Sequence, residues 1–158
     1  MMYPHADLDL IADKYPLDRL LPLRGLISED LMHKPDMVDQ DGKPCLSVIK
    51  DGMATGLTIG RPTGIFSYVR KYFSNNTHQT SMEWAILPYD HESGAFSTFG
   101  DSGAIIADGH GRIGGLLTGG TSNKTEDFDI TYATPFFWLF PRIKQNGYPD
   151  AHLYPVME

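Results

Sequence analysis

The chain has 158 residues, a length typical of a single domain. It carries 20 acidic and 13 basic residues, and its net charge of −7 argues against a nucleic-acid-binding surface, because such surfaces are basic. The single cysteine, Cys45, excludes an internal disulfide and a four-cysteine zinc site. The 16 glycines and 11 prolines favour many turns and short strands over a helical bundle.

Residues 1–44 form an irregular lead-in that is interrupted repeatedly by proline. One short helix is expected after Ser28, a good N-cap followed by two acidic residues. Ile27 would pack on Met32, and Pro35 would end the helix. No basic segment followed by an apolar run opens the chain, and no apolar run approaches the ~20 residues that span a bilayer. The expectation is an intracellular protein with no membrane partner.

From residue 45 onward, short segments of β-forming residues alternate with turn signals. Strands are expected over residues 46–49, 54–59, 65–73, 82–87, 104–107, 112–118 and 129–133. The clearest turn signals are Asp51-Gly52, residues 74–77 and residues 108–111. This spacing predicts a mainly β protein, an antiparallel barrel or sandwich.

A helix is predicted to follow the last strand. Thr134 would cap it and Pro135 would occupy its first position, where a missing N–H costs nothing. Residues 136–140 are apolar nearly all round, so this turn is expected to be well buried; Pro141 would then kink or restart the helix. Asn146-Gly147 is a good C-terminal stop. The organisation is therefore a lead-in (1–44), a β domain with a closing helix (45–147) and a tail (148–158).

The tetrapeptide Gly100-Asp101-Ser102-Gly103 is the motif that indicates chemistry. A serine hydroxyl is a poor nucleophile unless a tight turn presents it, N–H groups bind the oxyanion and a base takes its proton. Gly100 would let its own N–H and that of Ser102 point into one hollow, and Gly103 would allow close approach behind the serine. The same tetrapeptide also fits a plain polar turn.

Four segments, in order, resemble the C-terminal barrel of chymotrypsin-like serine peptidases. Residues 51–60 resemble the strand that opens that barrel, and residues 100–103 its nucleophile loop. Residues 114–120 resemble the strand that lines the substrate channel, and residues 129–135 with the apolar helix resemble its end. Residues 56–64 and 129–138 are also similar to uncharacterised fungal trypsin-like domain proteins. The resemblance spans about residues 45–146 and implies a six-stranded antiparallel barrel of the Greek-key type with a C-terminal helix.

The resemblance also implies roles for individual residues. Ser102 would be the nucleophile, and the N–H groups of Gly100 and Ser102 would form the oxyanion hole. The substrate backbone, of a peptide or protein, would lie along Thr118, Gly119 and Gly120. Phe96, next to Ser97, would floor the specificity pocket and suit an apolar or small side chain. No metal site is expected, because the six histidines lack ligand spacing, and no nucleotide cofactor, because no phosphate-binding glycine loop is present.

The general base has no counterpart in this chain. In chymotrypsin-like peptidases the histidine and its aspartate come from the N-terminal barrel, whereas only 101 residues precede Ser102 here. A solvated surface position is expected for all six histidines: His5, His33, His78, His91, His110 and His152. His91 is the nearest histidine that precedes Ser102 in sequence, but it is not expected to be the base. Asp101 is expected to anchor the loop by binding backbone N–H groups or a buried amine. The chain alone is therefore predicted to be an inefficient peptidase.

Three interpretations stay open at this point. The chain could be half of a serine peptidase whose missing N-terminal barrel supplies the base, or a non-catalytic peptide-binding or assembly module built on the same barrel. It could also be an unrelated small β-barrel with a chance Gly-Asp-Ser-Gly. The surface that would meet a missing barrel should be covered, either by the lead-in or by a second copy in a homodimer.

Overall fold

The structure, a computed structural model, describes residues 21–39, 41–121 and 130–153. The described part is mainly β with a C-terminal helix, as the sequence predicts. The elements in chain order are helix α1 (Glu29–His33), strands β1 (Val48–Gly52), β2 (Gly56–Tyr72), β3 (His78–Pro88), β4 (Ile105–Asp108), β5 (Ile113–Thr121) and β6 (Ile130–Pro135), and helix α2 (Phe136–Gln145). Neither described helix is long and apolar enough to cross a membrane.

The six strands form one antiparallel sheet that closes in a ring. Its order is β1-β2-β3-β6-β5-β4, and β4 pairs back with β1 through Val48↔Asp108. The ring is not a regular barrel, because the β2–β3, β4–β5 and β5–β6 pairings each contain a register shift. Antiparallel pairing of sequence neighbours explains why short hairpins connect β1 to β2, β2 to β3 and β4 to β5.

Strand β2 corrects the sequence prediction in this region. The two strands expected over residues 54–59 and 65–73 are one strand of 17 residues, Gly56–Tyr72. Pro62 and Gly64 lie at a bulge between Pro62 and Phe66, where the ladder with β3 is interrupted. The first turn is also shifted: β1 includes Gly52, and residues 53–55 make the turn. His78, expected in a loop, begins β3.

The lead-in contributes to the core. Ile27 and Met32 are fully buried in the same cluster as Val48, Trp84 and Ile106 of the ring. Helix α1 has the predicted cap, since Leu31 N–H donates to Ser28 Oγ, and it ends before Pro35. The described part of the lead-in therefore packs on the sheet; that it covers the surface of a missing barrel stays a prediction, as does the homodimer.

Hydrogen bonds and ion pairs attach the lead-in to the start of β5. Residues 24–27 run parallel to residues 111–113, with Arg24 N–H donating to Gly111 O (2.7 Å) and Ile27 N–H to Ile113 O (2.9 Å). Arg112 makes a bidentate contact with Asp36, at 2.7 Å for both nitrogens, and a further 2.6 Å contact with buried Asp108. Such planar charge-assisted pairs fix geometry as well as adding energy.

Helix α2 differs from its prediction at its start and in its burial. Pro135 is the last residue of β6 and the N-cap of α2, without a side-chain capping bond. The hydroxyl of Thr134 donates to Glu83 Oε2 (2.9 Å) instead of capping the helix. No residue of α2 is fully buried, and Trp138 is 40% exposed, so the expected burial of residues 136–140 is wrong. Asn146 is the C-cap and Gly147 has φ 102°, as predicted for the helix end.

Candidate functional site

Residues 98–104, here called the serine loop, consist of two consecutive tight turns. Asp101 N–H donates to Thr98 O (3.2 Å), and Ala104 N–H donates to Asp101 O (3.0 Å). The third residue of each turn is a glycine with positive φ: 103° at Gly100 and 89° at Gly103. Type II turns require this conformation at their third residue, and glycine adopts it at no steric cost. The spacing of the two glycines therefore dictates the shape of the loop.

Asp101 is turned into the protein and holds the loop in place. Its side chain is buried and accepts hydrogen bonds from Ala54 N–H (2.8 Å), Thr98 N–H (3.1 Å) and both the N–H and hydroxyl of Thr55. These donors come from the β1–β2 turn and from the serine loop itself. Asp101 thus joins two loops that are 46 residues apart in sequence, as the predicted anchoring role requires.

A buried amine completes the anchor. Lys50 projects from β1 into the ring, and its Nζ lies 3.5 Å from Asp101 Oδ2, with both side chains fully buried. The ammonium also donates to Thr55 Oγ1 and to Gly56 O (2.9 Å) and lies 5.7 Å from the Phe96 ring centroid. Buried charges persist only when they are paired and hydrogen-bonded, and all three protons of this ammonium have an acceptor at hand.

Burial and hydrogen bonding act in opposite directions on this pair. Burial alone would raise the pKa of Asp101, but the hydrogen bonds from Thr55, Ala54 and Thr98 lower it far below its usual range. Burial lowers the pKa of Lys50, and the nearby Asp101 carboxylate partly offsets that effect. The hydrogen bonds to Asp101 therefore favour its carboxylate form, and that carboxylate in turn favours the ammonium form of Lys50.

Ser102 lies on the opposite, exposed side of the serine loop. Among the described residues, neither its hydroxyl nor its N–H has a hydrogen-bond partner, and the same holds for the N–H of Gly100. The other two N–H groups of the tetrapeptide have partners: that of Asp101 donates to Thr98 O, and that of Gly103 donates to Leu117 O (2.8 Å). The loop thus leaves two backbone donors and one hydroxyl available to a ligand, and these belong to the residues predicted for the oxyanion hole and the nucleophile.

Phe96 and Ser97 lie beneath the loop in the interior. Phe96 is fully buried in the core cluster, and its carbonyl accepts from Thr58 Oγ1 (2.7 Å). A Cβ at Gly60 would lie only 2.7 Å from the Phe96 ring, so a glycine there makes room for it. Ser97 is also buried, with its hydroxyl 2.6 Å from that of Thr131. The structure places Phe96 with the core, and its role as a pocket floor stays a prediction.

Thr118, Gly119 and Gly120 occupy the part of β5 that extends past its pairing with β4. The β4–β5 ladder reaches Leu116 at this end, and two further bonds join Leu117 to the serine loop. On its other side β5 continues to pair with β6, where Gly119 faces Tyr132 and Gly120 faces Thr131. Within the described residues, the β4 side of residues 118–120 has no strand partner, so this edge is open next to the serine loop.

No described histidine hydrogen-bonds to Ser102. His33 Nδ1 donates to Gly64 O (2.8 Å), and its ring meets that of Phe66 edge-on. His91 is 90% exposed and lies 3.7 Å from Glu92. The remaining described histidines, His78, His110 and His152, are also exposed, and His5 lies outside the described residues. In the portions of chain that can be described, no cluster of three or more His, Cys, Asp or Glu side chains could hold a metal ion.

The sequence predictions missed Lys50 and Thr55. A signal for Lys50 was present: Val48 and Lys50 share one phase of β1, and Val48 is a core residue. A lysine on the inward side of a strand implies a buried counter-charge. Thr55 carried no comparable signal, because a threonine in a turn is usually explained by local backbone hydrogen bonds.

The chain matches no protein-family model and no curated protein sequence.

Proposed function

We propose that this chain is the serine-bearing barrel of a chymotrypsin-like peptidase, with Ser102 as nucleophile and the N–H groups of Gly100 and Ser102 as oxyanion donors. The observation that carries the proposal is the serine loop: Asp101 is fixed inward, Ser102 is exposed, and among the described residues the N–H groups of Gly100 and Ser102 have no hydrogen-bond partner. A plain polar turn would need no buried ion pair behind it.

The strand order supports the finer fold assignment. In the ring, β4, β5 and β6 are consecutive neighbours and β3 pairs with the far side of β6. Three consecutive strands with a fourth beside the last of them are the arrangement expected of a Greek key, so this order supports the proposed fold. The helix α2 that follows β6 and the glycine-rich end of β5 also support the proposal.

The chemistry follows from these positions. A peptide would lie along residues 118–120 as an added strand, with its scissile carbonyl above the serine loop. Ser102 Oγ would bond to the carbonyl carbon, and the resulting oxyanion would accept hydrogen bonds from the two N–H groups. The hydroxyl proton must leave to a base. Because no described histidine bonds to Ser102, we propose that another domain or chain supplies that base.

Active-site labelling tests this proposal. A fluorophosphonate forms an Oγ–P bond with an activated serine and releases fluoride, and the serine proton passes to the base. We expect negligible labelling of the chain alone and stoichiometric labelling when concentrated imidazole is added as the missing base. Intact-mass spectrometry measures the adduct. Ser102→Ala should abolish labelling, whereas Ser93→Ala, at another exposed loop serine, should leave it unchanged.

Two results would contradict the proposal in different ways. Fast labelling without imidazole would show that the chain contains its own base, so that only the incompleteness is wrong. Absence of labelling with imidazole, together with no binding of a peptide boronate, would overturn the nucleophile assignment.

The alternative function is a non-catalytic peptide-binding module, favoured by the open edge of β5 at residues 118–120. A peptide amide should then bind equally to the unmodified chain and to Ser102→Ala. Calorimetry with a peptide amide and the matching boronate distinguishes the two functions, since a nucleophilic Ser102 favours the boronate.

A further inference from the structure

The hairpin of β2 and β3 continues beyond the ring as a two-stranded arm, residues 67–83. Its six pairs, from Ser67↔Glu83 to Tyr72↔His78, join only these two strands in the described structure. The ladder with β1 ends at Gly60, and the ladder with β6 ends at Trp84. At ~3.4 Å per residue the arm is about 17 Å long. All residues from Arg70 to Thr80 are exposed.

One face of the arm has the composition of an interface. Every second residue of β2 in the arm lies on this face: Tyr68, Arg70 and Tyr72. Their cross-strand partners on β3 share the face and are, in the same order, Met82, Thr80 and His78. Tyr68 is 77% and Tyr72 73% exposed. Tyrosine, arginine and methionine are enriched in protein–protein interfaces. An isolated two-stranded hairpin is marginally stable in water, so this arm would gain stability from being covered.

The arm is ordered at both ends. At the tip, Thr77 Oγ1 donates to Asn75 Oδ1 (2.6 Å), Phe73 N–H donates to Thr77 O (2.9 Å), and Asn76 has φ 61°. At the base, the Phe66 ring lies 5.1 Å from that of His33 and 6.4 Å from that of Phe137. A fixed arm loses less conformational entropy on binding than a mobile one.

Charge separates the arm from the rest of the chain. The arm, residues 67–83, carries Arg70 and Lys71 and one acidic residue, Glu83, which is buried at its base. The remainder holds 19 of the 20 acidic residues and 11 of the 13 basic ones. A basic aromatic arm and an acidic body are complementary, so each copy of the chain presents both halves of a contact.

We propose that the arm docks on the acidic body of a second copy, and that two copies exchange arms reciprocally. Reciprocal exchange closes at two subunits and covers both arms, whereas one-way docking would propagate into a filament. A polyanion such as nucleic acid would also attract the arm, but the strongly acidic body would repel it. This dimer is independent of the chemistry at Ser102.

Sedimentation velocity tests the dimer. We expect concentration-dependent dimerisation at low ionic strength that weakens in ~1 M salt, where the Debye length is about 3 Å. The double variant Arg70→Glu with Lys71→Glu should raise the dissociation constant at least about tenfold, and so should Tyr68→Ser with Tyr72→Ser. The matched control reverses two exposed charges elsewhere, Arg24→Glu with Lys34→Glu, and should dimerise at least as well as the unmodified chain. Circular dichroism confirms that each variant folds.

Three outcomes would overturn the proposal. The unmodified chain could remain monomeric up to the highest soluble concentration. It could dimerise with an affinity that the arm variants do not change. It could also stay monomeric and bind a labelled single-stranded oligonucleotide through the arm, in which case the arm recognises nucleic acid.

Discussion

Lys50 places an ammonium group inside the ring, directly behind the loop that presents Ser102. Its carboxylate partner, Asp101, belongs to that loop, and Thr55 bonds to both. A buried ion pair adds little net stability compared with an apolar pair of the same shape, because both ions lose their hydration. Its value lies in specificity: the pair fixes which side of the loop faces inward and hence which side Ser102 occupies.

Lys50→Met should destabilise the protein strongly. The substitution keeps the length of the side chain but leaves Asp101 buried without its cation, which typically costs about 3 kcal/mol. Chemical denaturation at neutral pH measures the free energy of unfolding. Lys34→Met, a change at an exposed lysine, should alter that free energy by no more than ~0.5 kcal/mol.

A double variant separates the pair from general damage to the core. If Lys50 matters through Asp101, the cost of Lys50→Met should shrink in an Asp101→Asn background, since no charge is then left unpaired. Strictly additive costs would contradict the coupling. The fluorophosphonate reaction with imidazole should fall in both single variants, because each releases the serine loop.

At the level of elements, the lead-in depends on one glycine in the β4–β5 turn. Gly111 has φ 78°, and a Cβ there would overlap the carbonyl oxygen of Pro22. Gly109, two residues earlier, has no positive φ, and its Cβ would meet only Met37 at an ordinary 3.5 Å. The two glycines therefore form a matched pair of sites within a single turn.

Gly111→Ala should detach the lead-in, while Gly109→Ala should be tolerated. The first change combines backbone strain with a steric clash and should cost about 1–3 kcal/mol. The second should stay within ~0.5 kcal/mol. Thermal unfolding measures both, and limited proteolysis should cleave the lead-in faster in Gly111→Ala alone. Equal behaviour of the two variants would show that residues 22–27 do not depend on this contact.

The sequence predicted elements better than their connections. Turn residues and β-forming runs located the strands, and Ser28 located α1, because these signals are local. The sequence could not show that β2 runs through Pro62 and Gly64, since only the ladder with β3 decides whether a bulge continues a strand. It also could not place Thr134, whose hydroxyl bonds to Glu83, 51 residues away, instead of capping α2.

The same holds for the candidate site: its local turns could be predicted from the sequence, and its long-range contacts could not. The two glycines determine the turns, so the exposed Ser102 and the inward Asp101 followed from the tetrapeptide. The identity of the partner of Asp101 could not be predicted, because Lys50 reaches Asp101 only when the ring closes and places β1 beside β4. Phe96 shows where the resemblance gave too little information. The resemblance assigned it to a pocket floor, whereas the core position that it occupies depends on how it packs with Gly60 and Ile86.

For the whole molecule, acidic pH should act mainly through carboxylates whose pKa is lowered. Hydrogen bonds from Arg112 lower the pKa of Asp36, backbone N–H bonds from Lys43 and Asp41 lower that of Asp39, and Asp101 is lowered the most. A group with a lowered folded-state pKa contributes stability above its unfolded value, which is lost as pH falls through the folded value. Stability should therefore decline below pH ~5.

Asp101→Asn should flatten this acid dependence. At neutral pH the variant is less stable, because an amide nitrogen would face the N–H and hydroxyl donors that now bind the carboxylate. As pH falls, Asp101 takes up a proton in the unfolded chain well before it does so in the folded protein, so the unmodified protein loses stability faster than the variant, which has no carboxyl group at this position. The difference between the two free energies of unfolding should narrow steadily from pH ~5 downward. High salt should weaken the contribution of exposed Asp36 most, that of half-buried Asp39 less, and leave that of buried Asp101 nearly intact, because salt screens buried pairs poorly. A constant difference across this pH range would show that Asp101 is not the carboxylate that sets acid stability.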